Sequence, residues 1–170
     1  YKIFEDNFDQ CLKKYFPNSK IIIIENSQAV TAYSLRKVKD IFFNIGVDYI
    51  IFGEPELPSL EIFYAESEGR NISKKFNILQ KNFNTNFIKY DYNLDSLNFP
   101  DWEGFNLENY WKIGHAHGPL SSKKYLPILT SRGCPYPCNF CVIPETSSRI
   151  WRSRSAKNIV NEIITHINKY

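Results

Sequence analysis

"IIIIENSQAVTAYSLRKVKDIFFNIGVDYIIFGEPELPSLEIF", Ile21–Phe63, is the stretch that decides the fold. Lys20–Glu25 carries four isoleucines in a row, Ile21 to Ile24. A short β-branched run without alternation suits a strand buried on both faces, as in a parallel sheet. A helix is predicted near Tyr33–Asn44, with Leu35, Val38, Ile41, Phe42 and Ile45 on one stripe and Gly46 placed to cap its end. Val47–Phe52 reads as a second buried strand, Gly53-Glu54-Pro55-Glu56 as a turn, and Leu57–Glu66 as a further helix. Upstream, Phe4, Phe8, Cys11, Leu12 and Tyr15 recur at helical spacing over Ile3–Phe16, and Pro17-Asn18 ends that helix. Helix-strand-helix-strand-helix predicts an α/β layer structure over residues 1–67.

Beyond this zone the pattern changes. Residues 68–124 are rich in Asn, Asp, Ser and Pro, yet carry Phe99, Trp102, Phe105, Tyr110 and Trp111. So many rings predict an irregular connecting segment packed across a surface rather than a solvated linker. A hairpin is expected around Phe76–Ile88. Asp95, Asp101 and Glu103 read as turn and capping residues. Residues 125–170 start with "YLPILTSRG", a predicted strand entering a loop. Ser155 is a good N-cap for a helix over Ala156–Lys169, with Ile159, Val160, Ile163, Ile164 and Ile167 as its buried stripe. One strand, one loop and one helix cannot bury that stripe, so this zone is expected to be the first βα unit of something larger. The chain begins at Tyr1 and contains no Met, and further sequence in front of it is expected.

Among 170 residues, 43% are hydrophobic and 16% aromatic, enough for a packed core, which argues against disorder. The net charge of +3 is too mild to imply nucleic acid or an anionic membrane surface as partner. No apolar run reaches bilayer length, and no signal peptide is visible, so a cytoplasmic location is expected. Three of the four cysteines fall between Cys134 and Cys141. A disulfide framework spreads its cysteines along the chain; a tight cluster reads as a metal site in a reducing compartment.

That cluster lies in "SRGCPYPCNFCVIP", Ser131–Pro144, with spacing Cys-x3-Cys-x2-Cys. Three thiolates on a short loop can fold around one corner of a four-iron cluster, which ordinarily takes four cysteines, and one iron is then left open for a small molecule. Pro135 and Pro137 stiffen the loop and lower the entropy lost on ordering it. Gly133 permits a sharp turn out of the strand. Zinc is the alternative. A structural zinc site wants four ligands, and His115 or His117 can complete a Cys3His set. Arg149, Arg152 and Arg154 precede the last helix and suit bidentate recognition of a carboxylate, or else form a solvated face. Glu162 reads as a surface or ion-pair residue.

"TSRGCPYPCNFCVIPETSSRIWRSRSAKNIVNEI", Thr130–Ile163, resembles the start of the radical S-adenosylmethionine domain, in the subgroup with an N-terminal cobalamin-binding domain. The resemblance rests on the cysteine spacing, on Phe140 directly before the last cysteine, and on the downstream "WRSRS…NEI". It implies a partial (β/α) barrel, of which this chain holds the first unit. It implies a 4Fe-4S cluster on Cys134, Cys138 and Cys141, with S-adenosylmethionine on the open iron and reductive cleavage to a 5′-deoxyadenosyl radical. It also implies an electron donor such as a flavodoxin or ferredoxin. Phe140 is expected to line the adenine site or to fill the barrel core, and Arg152 to contact the cofactor. Ile21–Phe63 looks like the second half of the subgroup's cobalamin-binding Rossmann-like domain, with Thr31, Gly53 and Glu54 as matching cofactor positions. Where relatives carry Gly-Gly, this chain has Glu25-Asn26, and the Asp-x-His-x-x-Gly cobalt-ligand signature is absent from it. The front layer is therefore either a cobalamin site or an α/β layer that only packs on the barrel. The subgroup includes methyltransferases acting on unactivated carbon; the substrate, a small molecule or peptide, is not readable. The chain is expected to be inactive by itself. The alternative function is a zinc-stabilised, non-catalytic binding module.

Overall fold

The computed structural model describes residues 14–24, 35–81, 90, 92–114, 123–141, 143 and 149–170, with residues 35–37 described by backbone alone. The fold is mixed α/β, in two compact units: Tyr1–Tyr90 with Gly133–Trp151, and Asp91–Arg132 with Arg152–Tyr170.

The first unit contains β1 (Ile22–Ile24), α1 (Leu35–Asn44), β2 (Tyr49–Ile51), α2 (Glu56–Glu68) and β3 (Ile78–Leu79). The sheet order is β1-β2-β3. β1 and β2 are parallel, Ile22 opposite Tyr49 and Ile24 opposite Ile51; β3 runs antiparallel to β2, Leu79 opposite Ile50. Side chains alternate across a strand, so β2 feeds two cores. Ile50 and Phe52 join Ile21, Phe43, Val47 and Leu79 on one face. Tyr49 and Ile51 join Ile62, Ala65, Ile72 and Ile78 on the other. Each fully buried Ile or Phe of this strand contributes about 1.5–3 kcal/mol. The second predicted strand is therefore buried on both faces, as its apolar run implied.

β1 differs from expectation. Ile23 packs partly against the first core, but Ile22 and Ile24 are exposed. They lie beside Tyr49 and Ile51, on the face whose core is assembled from β2, α2, Ile72 and β3 and draws nothing from β1. An edge strand covered on one face leaves its alternate residues open.

The helix ends follow local signals. Gly46, at φ 91°, stops α1, with its N–H donated to the Phe43 carbonyl at 3.3 Å and that of Val47 to Phe42 at 3.1 Å. Gly69, at φ 65°, stops α2 in the left-handed conformation that favours glycine. Just beyond, Arg70 grips the buried Glu61 carboxylate with two nitrogens, at 2.6 and 3.1 Å, and the Ser73 N–H donates to the same group at 2.7 Å. β3 pairs with β2; the second half of the expected Phe76–Ile88 hairpin falls on residues 82–89, outside the described residues, as does most of the expected Ile3–Phe16 helix, of which Lys14 and Tyr15 are helical.

The second unit holds a 3-10 turn (Leu94–Ser96), α3 (Leu107–Ile113), β4 (Ser131–Arg132), β5 (Arg152–Ser153) and α4 (Ala156–Lys169). α3 was not expected inside the irregular zone, although both its stops are visible in sequence: Asn106 accepts from the Asn109 N–H, and Gly114 takes φ 69°. The strand expected through "YLPILTSRG" shrinks to β4, and it pairs antiparallel with β5, Arg132 opposite Arg152. A simple strand-loop-helix unit is therefore corrected to strand-loop-strand-helix. Two paired strands satisfy backbone groups that a solitary strand leaves open.

α4 has the bounds read from sequence, and the Ser155 side chain accepts from the Asn158 N–H. Of its predicted stripe, Ile159 is half-buried, and Val160, Ile163, Ile164 and Ile167 are exposed in this chain, as expected of one strand, one loop and one helix that cannot cover them; the buried residues are Glu162 and His166. Arg154 accounts for the buried carboxylate. Its guanidinium is ion-paired to Glu162, which lets that face of the helix go inward.

Candidate metal and cofactor site

Gly133, at φ 87°, turns the chain out of β4 into the cysteine segment. The Cys141 N–H donates to the Cys138 carbonyl at 3.1 Å, closing a turn over Asn139 and Phe140. All three cysteines are free of disulfides; Cys138 is exposed, and Cys134 and Cys141 are half-buried. Among the described residues, no three His, Cys, Asp or Glu side chains are gathered closely enough to hold a metal ion. Thiols by themselves exert no attraction that offsets the entropy of drawing a loop together. The donor set nonetheless has the chemistry of a thiolate-ligated cluster: three uncommitted sulfurs, accessible from solvent, on one proline-stiffened segment. His115, His117, Cys11 and Thr31 lie outside the described residues.

Phe140 is 79% exposed. Tyr136 and Trp151 are exposed as well.

The three arginines separate. Arg149 is exposed, at φ 58°. Arg152 donates to the Tyr92 carbonyl at 3.3 Å and lies 5.2 Å over the Tyr92 ring. Burial lowers its guanidinium pKa from the ordinary value. Arg154 is structural. Beyond its pair with Glu162, it donates to Leu129 O at 2.9 Å and Asn158 Oδ1 at 2.7 Å, and lies over Phe99. In the polar stretch Asp101 makes the expected turn, accepting from the Glu103 N–H at 3.1 Å; the Asp95 carboxylate instead accepts from the distant Ser155 N–H at 2.9 Å, and Glu103 pairs with Lys169.

Gly53 and Glu54 sit where β2 runs out. Gly53 takes φ 88°, and Glu54 is buried. The turn is occupied from within the unit. The Tyr90 hydroxyl donates to the Phe52 carbonyl at 2.8 Å and accepts from the Glu54 N–H at 2.7 Å. A Cβ at Gly53 would lie 2.1 Å from that oxygen. Cobalamin therefore does not fit against this turn as it stands. Sequence reasoning found the glycine but not its partner; nothing local to Tyr90 signals a contact with a turn so far back in the chain.

No protein-family model matches the chain, and no solved structure matches it significantly. It is 31% identical over 78 residues to the cytidylyl-2-hydroxyethylphosphonate methyltransferase of Streptomyces wedmorensis, covering 45% of this chain and 15% of that protein. It is 23% identical over 181 residues to an uncharacterized methyltransferase of Pyrococcus horikoshii, covering 89% of this chain and 37% of that protein. It is 31% identical over 71 residues to the bacteriochlorophyllide d C-8(2)-methyltransferase of Chlorobaculum tepidum, covering 41% of this chain and 16% of that protein. The chain thus spans 15% to 37% of the length of these relatives, which are methyltransferases by name. Among the described residues, no helix is long and apolar enough to cross a membrane.

Proposed function

We propose that the chain is part of a radical S-adenosylmethionine methyltransferase, and that Gly133–Cys141 is its cluster-binding segment. The observation that carries this reading is the set of three free thiols at Cys134, Cys138 and Cys141, with the last two joined by a backbone turn. Likeness to several methyltransferases supports the reaction class. A four-iron cluster, when bound, supplies the electron that cleaves S-adenosylmethionine to methionine and a 5′-deoxyadenosyl radical.

The chain's own residues have the following parts. The three thiolates would hold three irons of the cluster, and their sulfurs would have to be gathered on ligation. Pro135 and Pro137 limit the entropy lost in that step. The exposed Phe140 ring offers a face to adenine. Arg152 keeps the part that the resemblance gives it, a charge-assisted donor to the cofactor's carboxylate. Cobalamin is left out of this reading, because the Gly53 turn is held by Tyr90. We assign the electron to a flavodoxin- or ferredoxin-type donor and the location to the cytoplasm. Residues 1–67, 68–124 and 125–170 are the proposed functional divisions.

Anaerobic reconstitution with iron and sulfide tests the reading. The expected product is brown, with about four irons and four sulfides per chain. A Cys134→Ser, Cys138→Ser, Cys141→Ser triple variant is expected to take up none specifically. S-adenosylmethionine is expected to change the electron paramagnetic resonance spectrum of the reduced cluster. A colourless protein holding one zinc and refusing iron sinks the proposal in favour of a zinc-stabilised binding module.

A further inference from the structure

We propose that Tyr90 is the resident occupant of the Gly53 turn, and that its seated phenol closes this turn to a corrinoid. The inference is independent of the cysteine segment and concerns the α/β layer alone.

The hydroxyl bridges the peptide groups on either side of Gly53. It donates to the Phe52 carbonyl before the glycine and accepts from the Glu54 N–H after it, at 2.8 and 2.7 Å. These are backbone groups that a ligand approaching the end of β2 would use, and the phenol engages both. Space is taken as well as hydrogen-bonding capacity. The ideal Cβ position at Gly53 lies 2.1 Å from the Tyr90 hydroxyl oxygen and 2.9 Å from the ring carbon that bears it. Glycine at this position ordinarily signals close approach by something; here that something is a side chain of the same unit. Glu54 is buried behind the turn, so it presents little surface to a large planar ligand. The glycine that resembles a cofactor cradle is accounted for without a cofactor.

Two measurements on the full chain test this. The first is equilibrium dialysis of the wild-type chain against hydroxocobalamin, read from its visible spectrum. No saturable retention is expected; retention of one cobalamin per chain overturns the proposal. The second is thermal unfolding across a double-mutant set. Tyr90→Phe keeps the ring and removes both hydrogen bonds, and is expected to lower Tm by roughly 3–6 °C. Gly53→Ala is expected to lower Tm in the wild type and to lose at least half of that effect in a Tyr90→Ala background, where the clash is gone and only backbone strain remains. An unchanged Tm in Tyr90→Phe, or equal Gly53→Ala losses in the two backgrounds, shows that the phenol is not seated. Loss of iron binding by the cysteine variants leaves all these readouts in place, so the two proposals fail separately.

Discussion

Glu162 is buried to 0% exposure, and its carboxylate is ion-paired to the Arg154 guanidinium, itself only 10% exposed. His166, one helical turn later, is buried beside the same carboxylate at 3.4 Å. A polar pair thus holds the buried side of α4, while four aliphatic side chains of the same helix face outward.

Removing one partner of such a pair leaves a buried charge without compensation. Glu162→Ala is expected to cost about 3–5 kcal/mol. Urea or thermal unfolding of the variant checks this. Combining Glu162→Leu with Arg154→Met removes both charges and is expected to recover more than half of the loss. If the single variant unfolds like wild type, the pair contributes no stability.

The free thiols are expected to differ in reactivity. Cys138 is exposed and is expected to react first with a thiol-specific reagent, ahead of the half-buried Cys134 and Cys141. Mass spectrometry after brief alkylation reads the order. Reconstitution with iron and sulfide is expected to slow all three together, since each becomes a ligand.

Glu61 sets an acid-sensitive contribution. The Arg70 guanidinium, and after it the Ser73 N–H, hold its carboxyl below the ordinary value of 4.5, against the opposing effect of burial. A depressed carboxyl stabilises the fold fully above its unfolded value. That stability is lost as pH falls through the folded one. Glu61→Gln is expected to start with a lower Tm at neutral pH and to show a flatter decline below about pH 4.5 than the wild type. Parallel acid limbs in the two proteins refute this.

Tyr49 sets the alkaline counterpart. Burial, and then a hydrogen bond to the Glu66 carboxylate, push its phenol from 10.0 up to about 12. The folded state therefore favours the neutral form. The stability this provides is complete below the unfolded value and is lost as pH rises from 10.0 towards about 12. Tyr49→Phe is expected to flatten that limb, and spectrophotometric titration is expected to find one tyrosinate appearing last in the wild type and missing in the variant.

The sequence by itself determined what depends on near neighbours. Ser155 and the limits of α4, Gly46 behind α1, the turn at Asp101, and the double-sided burial of β2 were all legible, because capping, turn geometry and strand burial are written in residues a few positions apart. The Cys-x3-Cys-x2-Cys spacing was equally plain as a pattern. Tertiary structure alone decided which surface each element meets. Ile22 and Ile24 form a strand as read, yet they stay exposed beside a sheet face whose described core is built from β2, α2, Ile72 and β3. The apolar stripe of α4 is regular, yet the side chains buried on this helix are Glu162, paired with Arg154, and His166. Gly53 announced a close approach without naming Tyr90 as the group that makes it. In each case the deciding partner comes from another element or turn, and its effect depends on distance in space, which periodicity along a chain does not encode.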